Sequence, residues 1–424
     1  MMRLALEHKN WDEVADIREQ LHQLLKEDAM GFVVRSRFGQ NAEEERASLF
    51  HAGRELKNNK NNLFTIKRQG VQITDESEIE AEVTSFFNAL FNGHHDSNLR
   101  DTGVSFTPDN THLDQLLTDL SRMNKDESEK LEVDVCADEL EFVISKCANN
   151  KSPGLDGLSY EFYKHTWPVI KDTFLSVLQC QLHRNRLILS DTCGATRLIP
   201  KVDGVPKVDE LRPITLLNCD YKICAKLLVL RMKPIMPKVI RSSQLCSVGS
   251  KNILFGVFNL ISNILAINQR KIGACLLSLD FFKAYDRVYL KFLFVVMKRM
   301  GFGDKFITWI EMLHVGAKTQ FLLAKMTDPI FLSFSIRQGD PLAMLLYIIY
   351  MEPLLVYLEK RISGLKQLHT LQILHPLQGG TEAYCDDVNV ITASIDDLLI
   401  VDEAVKKFEA VSGAILSRNR SVKF

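Results

Sequence analysis

Three aspartates in this sequence have settings that suit metal-assisted chemistry. An apolar run, Ile272 to Leu279, leads straight into Asp280, and a strand that ends on a carboxylate can present it to solvent without burying it. Much later, EAYCDDVNVITA sets Asp386 beside Asp387 between short β-prone runs, as at the tip of a hairpin. Adjacent acids repel, and a hard cation such as Mg²⁺ prefers carboxylate oxygens. Two such ions about 3.5–4 Å apart can activate a hydroxyl nucleophile and steady a pyrophosphate leaving group. A pair of acids in a turn also suits plain solvation, so the surrounding segments must decide.

Other residues could serve a phosphate-bearing ligand. Lys201 follows an apolar strand and Arg212 precedes Pro213, both at the edges of ordered elements, where cations could clamp a triphosphate or remain solvated surface charge. In SIRQGDPL, Gln338 and Gly339 lie between a β-like run and an apolar helix, a junction where glycine lets backbone approach a ligand. Asp340 and Pro341 suit a plain helix start. The stretch RELKNNKNNLFTIKRQG places Arg54, Lys57, Lys60, Lys67 and Arg68 among few acidic residues, a pattern that fits either phosphate neutralisation or a solvated basic loop.

The elements that must position these groups follow from patterning. Of the 424 residues, 46% are hydrophobic and 25% charged, ordinary values for a globular chain with substantial cores. The 52 Lys and Arg balance 53 Asp and Glu to a net charge of -1, so any polyanion site must come from local clustering. Nine cysteines without a CxxC pair argue against a disulfide framework or zinc module and fit an intracellular setting, nuclear or cytoplasmic. No signal peptide is evident at the N-terminus, and the longest apolar run, Pro341 to Met351, is far short of the roughly 20 residues that span a bilayer. It reads as a buried helix, with no membrane partner.

Trp11, Val14, Ile17, Leu21, Leu24 and Leu25 recur at helical spacing, so the chain is expected to open with an amphipathic helix. Helical patterning resumes near Glu78 to Phe91, and a polar segment from His94 to about Asp126 reads as a linker. The expected division is a helical extension over 1–130 and a second domain over 131–424. In the latter, β-like runs such as ATRLIPK, ACLLSLD, TQFLLAK and IFLSFSI alternate with helical stretches, which predicts an α+β domain.

Eight ordered segments then give the three aspartates a context: NNKSPGLDGLSYEFYKHTW, TRLIPKVDG, ELRPITLLNCDYKICAKLLVLRM, SSQLCSVGSKNI, SLDFFKAYDRV, SIRQGDPLAMLLYIIYMEPLL, AYCDDVNV and SGAILSRNRSVKF. From about Asn149 to Phe424 the sequence resembles the reverse transcriptases of non-LTR retrotransposons, the long interspersed element class. Weaker similarity reaches back toward the N-terminus. The resemblance implies a right-hand polymerase with fingers and palm, an antiparallel sheet backed by helices, and RNA-templated addition of dNTPs to a DNA primer. It implies Asp280, Asp386 and Asp387 as catalytic carboxylates binding Mg²⁺ or Mn²⁺, with the carbonyl of Phe281 completing a metal shell. It further implies Lys201 and Arg212 gripping the incoming nucleotide, Tyr285 beneath its sugar, and Gln338 and Gly339 beneath the templating pair.

The sequence also departs from that pattern. Ala343 stands where the family usually has Ser, and Gly249, Ser250 and Lys251 replace Pro, Gly and Arg. Cys385 replaces Ala, while Ser417 and Arg420 replace Asn and Lys. Only a dozen or so residues follow the last helical pattern, Leu398 to Val411, so a thumb is expected to be absent. The rival expectation is a catalytically inactive remnant that binds nucleic acid without turnover.

Overall fold

A computed structural model describes residues 65–95, 102–249, 253–271, 273–362, 381–418 and 421–423. The chain divides into two compact units, Met1–Arg54 and Glu55–Phe424, and every described residue belongs to the second. The expected N-terminal helix therefore lies outside the described residues, as do Arg54, Lys57, Lys60, Ser250, Lys251 and Arg420.

The strands in chain order are β1 (Ile66–Arg68), β2 (Val71–Ile73), β3 (Cys193–Pro200), β4 (Leu211–Leu216), β5 (Cys275–Leu279), β6 (Lys318–Phe321), β7 (Ile330–Phe331), β8 (Thr381–Tyr384), β9 (Asp387–Thr392) and β10 (Val422–Lys423). The longer helices are α1 (Glu76–Phe91), α2 (Ala137–Lys146), α3 (Tyr160–Arg184), α4 (Cys219–Met232), α5 (Ile253–Arg270), α6 (Leu290–Arg299), α7 (Asp304–His314), α8 (Ala343–Arg361) and α9 (Ile395–Ser412). Mixed helix and sheet matches the expected α+β class. Among the described residues no helix is long and apolar enough to cross a membrane.

Two four-stranded sheets carry the architecture, ordered β10-β5-β9-β8 and β4-β3-β6-β7. The first is antiparallel throughout. In the second, β3 pairs antiparallel with β4 but parallel with β6. Its centre is stitched by buried hydroxyls, because Thr196 Oγ1 lies 2.8 Å from Thr215 Oγ1 and also bonds Thr319 Oγ1. Cross-strand Thr pairs of this kind satisfy polar groups that burial would otherwise leave unpaired.

The Pro341 to Met351 run lies mostly in α8, where every residue from Leu345 to Leu358 is buried. A helix apolar on all sides belongs inside a core. The acid within that buried stretch, Glu352, is 0% exposed and accepts from the Arg241 main-chain N–H at 3.0 Å. Helix α9 begins at Ser394, whose hydroxyl accepts from Asp397 N–H, and ends at Gly413 with φ +75°, the start and stop signals expected of a capped helix.

Two expectations differ from the structure. The polar stretch read as a linker is structured in its described part, with a short helix at Leu113–Leu117 and with Leu116, Leu117 and Met123 buried. These apolar anchors join the hydrophobic core of the following helices. The run IFLSFSI yields only a two-residue strand. Beyond it, Ser333 and Phe334 donate to the Phe91 carbonyl, Ser335 to Val288 and Ile336 to Tyr285, so these backbone donors reach other segments, with a single antiparallel bridge of Phe334 to Tyr289 in place of a continued strand.

Candidate active site

Sheet register brings the aspartates together. Strand β5 pairs with β9 so that Leu279 faces Val388, and one step further along the same register Asp280 comes opposite Asp387. Strands β8 and β9 form a hairpin closed by Tyr384 and Asp387, which leaves Cys385 and Asp386 as a two-residue turn. Such a turn wants positive φ at its first central residue, normally glycine, yet Cys385 adopts φ +62°. Its hold comes from Gln244, 0% exposed, whose Oε1 accepts from Cys385 N–H at 3.0 Å and whose Nε2 donates to Cys385 O at 3.5 Å. Sequence reading assigned Gln244 no role.

On the other flank of β5, Ser417 N–H donates to Asp280 O at 2.7 Å and Phe282 N–H to Ile415 O at 2.8 Å. Phe281 bridges Leu416 between these bonds. In an antiparallel pair the residue flanked by such bonds points its own N–H and C=O the other way. The Phe281 carbonyl therefore faces away from the Ile415 to Ser417 segment while its ring is buried.

Electrostatics bind the three acids into one system. Burial pushes the Asp386 carboxyl above the usual carboxylate range, the charges of Asp387 and Asp280 push it further, and Lys201 pulls back. Burial and then Asp280 raise Asp387 in the same way. Among the described residues no three acidic, His or Cys side chains already enclose an ion position. The donors are nevertheless all hard oxygens, and Mg²⁺ is commonly held by one or two carboxylates with substrate phosphates completing the shell.

Around this edge stand the other candidates. Tyr285 stacks on Tyr347 of α8 with ring centroids 4.8 Å apart, and its hydroxyl lies 2.8 Å from Cys385 Sγ. Arg212 is exposed on β4 opposite Ile199, and Lys201 follows β3, its N–H donating to Glu210 O at 2.9 Å. Both act electrostatically on Asp286, which is 1% exposed. Gln338 Nε2 donates to both oxygens of Asp286 at 3.3 Å, and Gln338 O accepts from Thr215 N–H at 2.7 Å. Gly339 has φ +114°, and a Cβ there would lie 2.3 Å from Thr215 O, so only glycine fits. Asp340 is buried, accepting from Leu342 N–H at 2.8 Å and from the Tyr221 hydroxyl, while helix α8 itself starts at Ala343 with Leu342 at its cap position.

Of the basic stretch, Lys67 donates its N–H to Pro206 O at 2.8 Å, and Arg68 sits 3.6 Å from both Glu78 and Glu82. Asp286 and Gln244 are the residues that sequence reading missed. Asp286 lies in the SLDFFKAYDRV segment already singled out, and its six-residue offset from Asp280 was the available signal.

Residues 199–424 match the family described as reverse transcriptase (RNA-dependent DNA polymerase). The chain belongs to that family. The reverse transcriptase match takes in Lys201, Arg212, Asp280, Tyr285, Gln338, Asp386 and Asp387, while Lys67 and Arg68 precede it. The chain is 30% identical over 415 residues to the Transposon TX1 uncharacterized 149 kDa protein of Xenopus laevis, covering 96% of this chain and 30% of that relative. It thus spans under a third of that relative's length. Two solved telomerase structures from Candida Tropicalis are also similar. The apo form truncated from its C-terminal domain has TM-score 0.38 and 13% identity, with 60% of this chain and 55% of that one covered. The complex with a TWJ fragment of telomeric RNA has TM-score 0.40 and 14% identity, with 62% and 45% covered.

Proposed function

We propose that this chain carries the fingers and palm of a non-LTR retrotransposon polymerase that copies an RNA template by adding dNTPs to a DNA primer 3′-hydroxyl. The observation that carries this reading is the β5–β9 register, which sets Asp280 opposite the hairpin bearing Asp386 and Asp387. The β10-β5-β9-β8 sheet serves as palm and the β4-β3-β6-β7 sheet as fingers.

Asp280, Asp386 and Asp387, with the Phe281 carbonyl, would hold Mg²⁺ or Mn²⁺. When bound, such ions acidify the attacking hydroxyl and neutralise charge on the departing pyrophosphate. Lys201 and Arg212 pair with the triphosphate oxygens and keep them in line for displacement. Tyr285, backed by Tyr347, forms a flat wall against a ribose 2′-hydroxyl. Gln338 and Gly339 support the templating pair. The basic stretch, including Arg54, Lys57, Lys60, Lys67 and Arg68, contributes phosphate contacts along the nucleic acid.

Primer extension on an RNA template tests this, with Asp280→Asn as control. The wild type extends the primer with Mg²⁺ or Mn²⁺, and the variant loses roughly a thousandfold or more in rate, several kcal/mol of transition-state stabilisation. Primer-template binding without any extension by the wild type would identify a nucleic-acid-binding remnant instead.

A further inference from the structure

The segment around Gln244 meets the β8–β9 hairpin at two cysteines that the chemistry above does not use. Gln244 and Ala383 form a parallel bridge, framed by Ala383 N–H donating to Ser243 O and Leu245 N–H to Ala383 O, both at 2.9 Å. Two residues on from each bridge partner come Cys246 and Cys385. Gln244 Oε1 accepts from the Cys246 N–H at 3.1 Å and from the Cys385 N–H at 3.0 Å. The two amide nitrogens are thus no farther apart than the sum of those distances. That suits a disulfide, which needs Cα atoms about 4.4–6.8 Å apart. Both cysteines are free thiols. Each is buried, yet their neighbours Ser247 and Tyr384 are exposed, so the pair lies one residue below the surface.

We propose that Cys246 and Cys385 are a redox modification site, closing reversibly to a disulfide that ties the catalytic hairpin to the segment around Gln244. With a peroxide as oxidant, one thiolate attacks a peroxide oxygen, the O–O bond breaks, and a sulfenic acid and water form. The second sulfur then displaces the sulfenic oxygen as a second water. Two electrons pass from the sulfurs to the peroxide oxygens, and both thiol protons end in water. A dithiol reductant reverses the step by thiol–disulfide exchange.

The link would act where the chemistry is set. Cys385 is the turn residue before Asp386, and its Sγ is the partner of the Tyr285 hydroxyl. Drawing Cys385 onto Cys246 replaces that hydrogen bond and moves the first residue of the turn. This consequence, though not the link itself, rests on the polymerase reading.

The test is graded peroxide treatment of the native full chain, followed by alkylation, non-reducing proteolysis and mass spectrometry. The expected product is a peptide pair joined through Cys246 and Cys385, lighter by two hydrogens, absent from Cys246→Ser and from urea-denatured wild type, and reversed by dithiothreitol. Separate alkylation of both thiols, oxidation to sulfinic acid without linkage, or a mixture of cysteine partners would overturn the site. Should Cys246→Ser misfold, the linked peptide in the wild type still decides. Primer extension on the same samples should fall in proportion to the linked fraction and recover on reduction. Linked chain that extends at the unlinked rate would overturn the regulatory consequence, while failure of both forms to extend would sink the polymerase reading and leave the peptide result standing.

Discussion

At the scale of single residues, Asp286 is the informative one. It is 1% exposed, both its oxygens accept from Gln338, and Lys201, Arg212 and Lys283 all act on its charge. Burial dominates and pushes its carboxyl up to about 6 from the ordinary 3.8, with Lys283, Gln338, Lys201 and Arg212 opposing. Because the folded-state value is the higher, the folded chain binds a proton that the unfolded chain releases between pH 3.8 and about 6. Its contribution to stability is full at low pH and lost as pH rises through about 6. On the proposed reading, in which Lys201 and Arg212 grip the nucleotide, its service to those cations runs the opposite way, since only the carboxylate balances them. The wild-type KM for dNTP should therefore rise as pH falls below about 6. Asp286→Asn should show a KM raised about tenfold across the whole range, near 1.4 kcal/mol, by the loss of one charge-assisted positioning contact. Identical pH profiles for the two proteins would rule this role out. Tyr285→Ala should likewise relax exclusion of ribonucleotides, checked by the ratio of dNTP to rNTP incorporation. An unchanged ratio would remove Tyr285 from the sugar wall.

At the scale of elements, the hairpin and the Gln338 loop show what was legible in the sequence and what was not. The β8–β9 hairpin could be read because its signal is local, two β-prone runs around a short acidic turn. Its brace could not, since Gln244 reaches Cys385 across 141 positions and no short-range pattern records such a contact. Gly339 was legible as a place of close approach, but the partner, Thr215 O, belongs to a strand in another segment. Gly339→Ala would have to displace β4 and leave the left-handed region, at a cost of about 1–3 kcal/mol. A thermal melt should show a fall of several degrees, and an unshifted midpoint would mean that the loop gives way freely there.

At the scale of the molecule, a central apolar helix could be recognised from the sequence alone, whereas the packing of the polar stretch before it could not. Leu116 and Leu117 sit among polar residues, and only their burial against the core reveals that the stretch is packed. Buried acid likewise escapes sequence reading. Asp191 is 4% exposed and is pushed from 3.8 up to about 8, by burial first and then by Asp220. With the folded-state value raised, the contribution to stability present at low pH is lost as pH rises through about 8. Urea unfolding should show the wild type losing stability across that window and Asp191→Asn losing less; parallel curves would contradict the linkage.

The proposed chemistry needs three carboxylates from two strand ends to act together on divalent cations, and Mn²⁺ binding followed by electron paramagnetic resonance in the presence of dNTP tests that directly. The wild type should bind Mn²⁺ with an affinity that falls at least about tenfold in Asp280→Asn and again in Asp386→Asn, as expected when a cation loses an anionic oxygen ligand. Equal affinity in all three proteins would show that the register of β5 and β9 does not build a metal site.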